Sequence, residues 1–135
     1  MPLTTPFKAD ESIDHDALAT QVVRLAKAGV GIVLLGTNGE GEFELTSTIG
    51  ILRSGLAYGT ASHLASSERK AAVATARKAL DSNGFENEPL MVGTGGGSAA
   101  VTIELTKEAA EAGATHSIVI CPGEWISLRC SQRRG

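Results

Sequence analysis

Gly36-Thr37-Asn38-Gly39-Glu40 is the first segment whose residue types could take part in binding or catalysis. It begins at the last residue of the apolar run Gly31–Gly36. In parallel α/β proteins, ligands bind at the carboxyl ends of strands, and glycines there let backbone N–H groups approach a small anion such as a carboxylate. Thr37 and Asn38 are therefore candidate substrate-binding residues. An ordinary glycine turn with polar side chains is the alternative interpretation.

A second glycine-rich turn, Gly93-Thr94-Gly95-Gly96-Gly97-Ser98, opens a predicted helix. Such a turn at a helix N-terminus can hold phosphate. Its spacing matches neither G-x-G-x-x-G nor G-x-x-x-x-G-K-[ST], because Ser98 stands where the third glycine would be and no lysine follows it. A closely packed turn is therefore favoured, and a small nucleotide-binding α/β domain is the weaker alternative.

Histidines and cysteines give no further site. His15, His63 and His116 have no metal-ligand spacing, and neither cysteine lies near one of them, so we expect no metal and no cofactor. Two cysteines, Cys121 and Cys130, at an ordinary density suggest reduced thiols inside the cell.

Bulk composition narrows the classes of partner. The formal net charge of −3 gives no general attraction to nucleic acid or to anionic membranes. No apolar run approaches the roughly 20 residues of a membrane span. The N-terminus lacks the basic and apolar regions of a secretory signal. We therefore expect no nucleic-acid or membrane partner and a cytoplasmic protein, with a mitochondrial location left open.

The chain alternates apolar runs with amphipathic ones. Predicted strands cover Gly31–Gly36, Pro89–Gly93 and Thr115–Cys121, and predicted helices cover Asp14–Ala28, Ser66–Asn83 and Ser98–Ala112. Apolar strands separated by helices are typical of parallel βαβ units. The run Gly31–Gly36 is short enough to be a strand buried on both faces, and Pro89–Gly93 is a second buried strand. A doubly wound sheet and a (β/α)8 barrel both fit, and a barrel needs about 250 residues. We further expect Ser66 to cap the second helix and Lys107 to pair with Glu111.

One segment interrupts this alternation. Residues Glu42–Ser62 contain three glycines and no sustained period. They separate a strand from its helix by far more than the 2–6 residues usual for such a connection. A functional lid and a foreign insertion are the two interpretations.

Four motifs in order resemble the dihydrodipicolinate synthase and N-acetylneuraminate lyase family: PLTTPF, GTNGE, SSER, and GTGGGS with IELTKEAAEAGA. The resemblance covers nearly all of the chain except 42–62 and the last dozen residues. It implies an α/β fold in which residues 1–123 form the first three to four βα units of a (β/α)8 TIM barrel, interrupted by 42–62, and 124–135 are a tail outside the family pattern. An asparagine at position 38 resembles the 4-hydroxy-2-oxoglutarate aldolases and several sugar-acid aldolase branches of the family.

The resemblance also implies a chemistry. In this family a lysine forms a Schiff base with pyruvate or a related small 2-oxo acid, and a tyrosine relays protons. Thr37 would be the hydroxyl assisting that relay, and Asn38 would help hold the carboxylate. The full-length relatives are expected to be homo-oligomers.

Two side chains that the family chemistry needs are not found in their places. The family lysine falls beyond residue 135, and Lys8, Lys27, Lys70 and Lys107 are not placed for its role. Where the family tyrosine would stand, the chain has Glu124. We therefore expect a class I aldolase or lyase whose 135-residue chain is inactive by itself. A non-catalytic binding or assembly module is the alternative.

Both departures from the family pattern begin with Gly-Glu and an aromatic residue, at Gly41 and at Gly123. Codons for these residues can contain GTGAGT, a splice-donor consensus. Our hypothesis is that 42–62 is a retained short intron and that 124–135 is read-through into another. Because half a barrel leaves sheet edges unpaired, we expect the isolated chain to be marginal, aggregating or oligomeric.

Overall fold

A computed structural model describes residues 2–36 and 64–119. These two ranges contain three helices and three strands in strict alternation. They are α1 (His15–Lys27), β1 (Ile32–Leu34), α2 (Ser66–Asp81), β2 (Leu90–Gly93), α3 (Ala99–Glu111) and β3 (His116–Ile118). The predicted order of elements is confirmed. None of the helices in these ranges is long and apolar enough to cross a membrane.

The strands form one parallel sheet in the order β1-β2-β3. Val33 lies opposite Met91, and Met91 lies opposite His116. On the far side of β1, Pro2 forms a parallel bridge with Val33, and Leu3 N donates to Val33 O at 2.9 Å. The N-terminal segment thus continues the sheet, and all carboxyl ends lie at one edge.

The core lies between the sheet and the apolar stripes of α1 and α2. Leu18 and Val22 of α1 are fully buried, as are Ala76 and Leu80 of α2, and they pack with Leu90 of β2. These stripes are the ones that helical spacing predicts. Asp14 caps α1 by accepting a hydrogen bond from Ala17 N at 3.0 Å, as Ser98 caps α3.

Two local expectations were wrong. The N-cap of α2 is Ala65, not Ser66, and Ala65 N donates to the Glu68 carboxylate at 2.8 Å. Glu111 does not pair with Lys107. It accepts from Lys70 Nζ of the neighbouring helix at 2.8 Å, because the packing of α2 against α3 offers a closer cation.

Strand β3 differs from β1 and β2 in its exposure. All three of its residues are exposed, and Ile118 and the following Val119 are 38% and 48% exposed. The cause is sparse cover from α3, whose Ile103 is 56% exposed. Among the described residues, β3 is therefore an edge strand with little over either face.

Several sequence-based expectations lie outside the described residues. They include the insertion at 42–62, the boundary after residue 123, the tail at 124–135, and the residues Tyr58, Cys121 and Cys130.

Candidate functional site

The carboxyl end of β1 has an unusual backbone conformation. Leu35, the first residue after the strand, is only 3% exposed and has φ 53. Left-handed φ is costly for a side chain with a Cβ, so this residue is held there by its surroundings. The chain then reaches Gly36, the first residue of the Gly36–Glu40 turn. Strained backbone of this kind is most common at functional sites.

The carboxyl end of β2 lies directly against this exit. A Cβ built on Gly93 would be 2.1 Å from Leu35 O and 2.9 Å from Leu35 C. Both atoms are backbone and cannot swing aside. Glycine at position 93 therefore allows the two strand ends to approach each other.

Arg69 of α2 binds this same strand end. Its Nη2 donates to Gly93 O at 2.8 Å, and the residue is only 8% exposed. Burial lowers the pKa of Arg69, and the negative charge of Glu108 opposes that shift. The Ser66 hydroxyl donates to the Glu108 carboxylate, which fixes that carboxylate between α2 and α3.

Thr94 connects β2 to both α3 and β3. It is 1% exposed, and its N–H donates to Ile118 O at 3.0 Å. Thr106 Oγ1 lies 2.8 Å from Thr102 O and 2.9 Å from Thr94 Oγ1. Because a carbonyl can only accept, Thr106 gives its proton to Thr102 O, and the Thr94 hydroxyl must donate to Thr106. The start of the glycine turn is thereby held from two sides.

The rest of the glycine turn packs on α3 and uses its own donors. Gly96 N donates to Thr102 Oγ1 at 3.1 Å, and Val101 N donates to Ser98 Oγ at 3.3 Å. A Cβ on Gly96 would be 2.7 Å from Val101 Cγ1. The N–H groups of Gly96 and Val101 are therefore engaged within the turn and the first turn of α3.

The cavity at this edge is small. Leu35, Arg69, Thr94 and Glu108 contribute to its lining, and its volume is about 10 Å³. That is room for one water molecule at most. A pocket for an organic substrate thus needs residues in addition to the described lining.

All five lysines of the chain lie within the described ranges, and all are exposed. They are Lys8, Lys27, Lys70, Lys78 and Lys107. Lys78 was missing from the lysines compared above with the Schiff-base lysine of the family. The hydrogen bond from Lys70 to Glu111 raises the pKa of Lys70. A Schiff-base amine is typically buried, and none of these five lysines is buried.

The two described histidines form packing contacts. His15 Nδ1 lies 2.9 Å from Thr75 Oγ1 and joins α1 to α2. His116 Nδ1 lies 2.9 Å from the neighbouring Thr115 Oγ1. His63 lies outside the described residues, as do Thr37 and Asn38. The roles of Thr37 and Asn38 therefore stay predictions, although the described exit from β1 ends one residue before Thr37.

Comparison with known proteins identifies the family. The chain is 37% identical over 113 residues to L-threo-3-deoxy-hexylosonate aldolase of Aspergillus niger, a match that covers 83% of this chain and 28% of that protein. It is 35% identical over 129 residues to a protein of Emericella nidulans named 4-hydroxy-2-oxoglutarate aldolase, mitochondrial, covering 95% of this chain and 35% of that one. No protein-family model matches.

A solved structure agrees with these sequence matches. The crystal structure of a dihydrodipicolinate synthase family protein from Coccidioides immitis superposes with a TM-score of 0.68 at 28% identity, over 90% of this chain and 32% of that one. The chain belongs to the dihydrodipicolinate synthase family. Its fold is part of that family's TIM barrel, and it spans about a third of the length of these relatives.

Given the dihydrodipicolinate synthase family, the carboxyl edge of the sheet is the candidate functional site. The sequence predicted only part of this site. The turns after β1 and β2 were singled out, but the contact of Gly93 with Leu35 was not foreseen. Arg69 was noted only as part of SSER. One signal was available, since Arg69 falls on the same helical stripe as Val73, Ala76 and Leu80. A charged residue on an apolar stripe needs a buried partner.

Proposed function

We propose that this sequence supplies part of a Schiff-base-forming aldolase or lyase that acts on pyruvate or a related 2-oxo acid. Its similarity to two proteins named as aldolases supports this proposal most directly. The constrained strand ends at Leu35 and Gly93 provide the rigid support that such a site requires. We infer that none of the five lysines of this chain forms the Schiff base, since each of them is exposed.

In this proposal Thr37 and Asn38 have separate roles. A lysine amine attacks the ketone carbon of the 2-oxo acid, water is lost, and the resulting imine accepts electrons during carbon–carbon bond making or breaking. The Thr37 hydroxyl passes a proton to and from the reacting groups. The Asn38 side-chain amide donates to the substrate carboxylate. Both assignments rest on the resemblance of GTNGE to the family motif.

Reconstitution tests the proposal. The 135-residue chain is mixed with the part of the Aspergillus niger aldolase that follows the region matched by this chain. Pyruvate and borohydride are added, and reduced adducts are located by mass spectrometry. We expect a covalent adduct on the aldolase segment that forms only when the 135-residue chain is present. We also expect slower aldol turnover with the Thr37→Val chain.

Two controls decide the result. The aldolase segment alone should give no adduct, and Thr75→Val, which changes a threonine of α2 away from the sheet edge, should leave turnover unaltered. If the complex forms and neither an adduct nor turnover appears, the proposed function fails. The second candidate, a non-catalytic binding or assembly module, would then be favoured.

The two segments that depart from the family pattern are part of the proposal. We infer that 42–62 is an insertion, that it arises from a retained intron, and that 124–135 is not family sequence. Sequencing the transcript across codons 40–65 and past codon 122 tests this. Messages that omit 42–62 and continue to a tyrosine and a lysine support it, and genomic codons without splice-donor sites refute it.

The location and the assembly of the complete protein are two further parts of the proposal. We propose a cytoplasmic enzyme, while the name of the Emericella nidulans relative makes mitochondria the alternative. We also propose that the complete protein is a homo-oligomer. Cell fractionation with an antibody and sedimentation of the reconstituted enzyme test these two points.

A further inference from the structure

We propose that Arg69 is a positioning residue, which holds the carboxyl end of β2 against the exit from β1 and so sets the direction in which the chain enters the Gly36 turn. The inference rests on the proposed function for its catalytic consequence. Its structural part concerns only described residues and can be tested without any substrate.

The first support is the placement of the guanidinium. Arg69 is 8% exposed, and its Nη2 donates to Gly93 O at 2.8 Å. Gly93 is the last residue of β2, so the hydrogen bond acts where the strand ends and not in its middle. A buried cation is expensive to desolvate, and an apolar side chain of similar length would fill the same volume at lower cost. The core alone therefore does not explain an arginine here.

The second support is the tight backbone contact on the other side of Gly93. An added Cβ there would be 2.1 Å from Leu35 O, so Gly93 and Leu35 can move apart but not closer. Arg69 restrains the carbonyl of Gly93, and the contact transmits that restraint to Leu35. Since Leu35 is held at φ 53, a conformation with an intrinsic cost, releasing Gly93 allows Leu35 to relax.

The third support is a fixed charge that keeps the guanidinium in place. Glu108 faces Arg69 from α3 and lines the same small cavity. The Ser66 hydroxyl donates to the Glu108 carboxylate and restricts its rotation. Helix α3 thus places a negative charge near Arg69, while Lys70, the next residue along α2, pairs with Glu111 and is 47% exposed.

The test uses ¹⁵N-labelled 135-residue chain without ligand. Arg69→Met removes the charge and the donors but keeps an unbranched side chain, Arg69→Lys retains one donor group, and Lys70→Met is the matched control one position away. We expect Arg69→Met to shift the amide signals of Leu35, Gly36 and Thr94 far more than those of α1. Arg69→Lys should restore part of the shift, and Lys70→Met should leave these signals unchanged.

A purely structural role gives a different pattern. If Arg69→Met shifts amides evenly through the core, or leaves the Leu35 and Gly36 signals in place while only lowering stability, the proposal is overturned. Should Arg69→Met fail to fold, Arg69→Lys decides. Partial shifts confined to Leu35, Gly36 and Thr94 support positioning, whereas native signals at these three amides contradict a need for the guanidinium.

A second readout concerns the reaction. In the reconstituted enzyme we expect Arg69→Lys to raise KM for pyruvate about tenfold with little change in kcat, and Lys70→Met to change neither. Equal KM values for the Arg69→Lys and Lys70→Met enzymes would contradict the catalytic consequence. If the unmodified complex shows no turnover at all, the proposed function fails, while the ligand-free amide shifts still decide the role of Arg69.

Discussion

Substituting Gly93 by alanine tests the close approach of the two strand ends. The new Cβ would be 2.1 Å from Leu35 O and 2.9 Å from Leu35 C, so strand β2 must move away from the exit of β1. Overpacking usually costs about 1–3 kcal/mol, and a clash with backbone belongs at the upper end or above it. We therefore expect Gly93→Ala to lower the free energy of unfolding by at least about 3 kcal/mol, which for a domain of this size corresponds to a fall in Tm of at least about 12 °C.

Gly97→Ala, in the same turn, is the matched control. No atom lies within 4 Å of a Cβ at Gly97, and no left-handed φ is found there. Its effect should stay within about 0.5 kcal/mol. Urea unfolding followed by circular dichroism compares the two variants under identical conditions. If Gly93→Ala unfolds within about 1 kcal/mol of Gly97→Ala, the strand ends do not touch as described and the reasoning about Arg69 loses its second support.

Three further perturbations have defined outcomes. Because Leu35 has φ 53, Leu35→Gly should be about 1 kcal/mol more stable than Leu35→Ala in urea, the reverse of the usual order. Ala65→Ser should raise the free energy of unfolding by about 1 kcal/mol, since it adds the missing side-chain acceptor at the start of α2. Hydrogen bonding raises the pKa of Lys70 and lowers that of Glu111, so their coupling should be lost as pH falls through the titration of Glu111 and as pH rises through that of Lys70. A double-mutant cycle measured against pH and salt checks this, and because both groups are exposed the coupling should be small and screened by salt.

Local periodicity was enough to predict the elements. The stripe of Leu18 and Val22 in α1 and that of Val73 and Leu80 in α2 are buried as the 3.6-residue spacing requires. The helix ends were predicted to within about two residues, because Asp14, like Ser98 in α3, supplies its cap locally. The sequence also supported a parallel α/β sheet but left the choice between a doubly wound sheet and a barrel to the family resemblance.

Contacts between elements could not be predicted in the same way. Glu111 pairs with Lys70 across two helices, and no spacing along α3 reveals this. Strand β3 is exposed because α3 covers little of it, and the apolar composition of the strand does not reveal this. The position of Gly93 in a turn was evident, while its contact with Leu35 depends on the distance between two strands.

The candidate site was predicted only in part. The sequence predicts that Thr37 and Asn38 lie at the carboxyl end of β1, because both follow a buried strand. Their roles come from the family resemblance and stay predictions. The contacts at the described strand ends, made by Leu35, Gly93 and Arg69, became evident only in the structure, because they depend on a left-handed backbone angle and on a hydrogen bond between α2 and β2.

Borohydride trapping with pyruvate on the isolated 135-residue chain tests the central claim most directly. The claim is that the chain is part of a Schiff-base enzyme but contains no lysine able to form the Schiff base, because all five lysines are exposed. An intact dihydrodipicolinate synthase, treated in parallel, serves as the positive control. We predict an adduct on the control and none on the chain. A stoichiometric adduct on a single lysine of this chain would contradict the account and would make the 135 residues an enzyme in their own right.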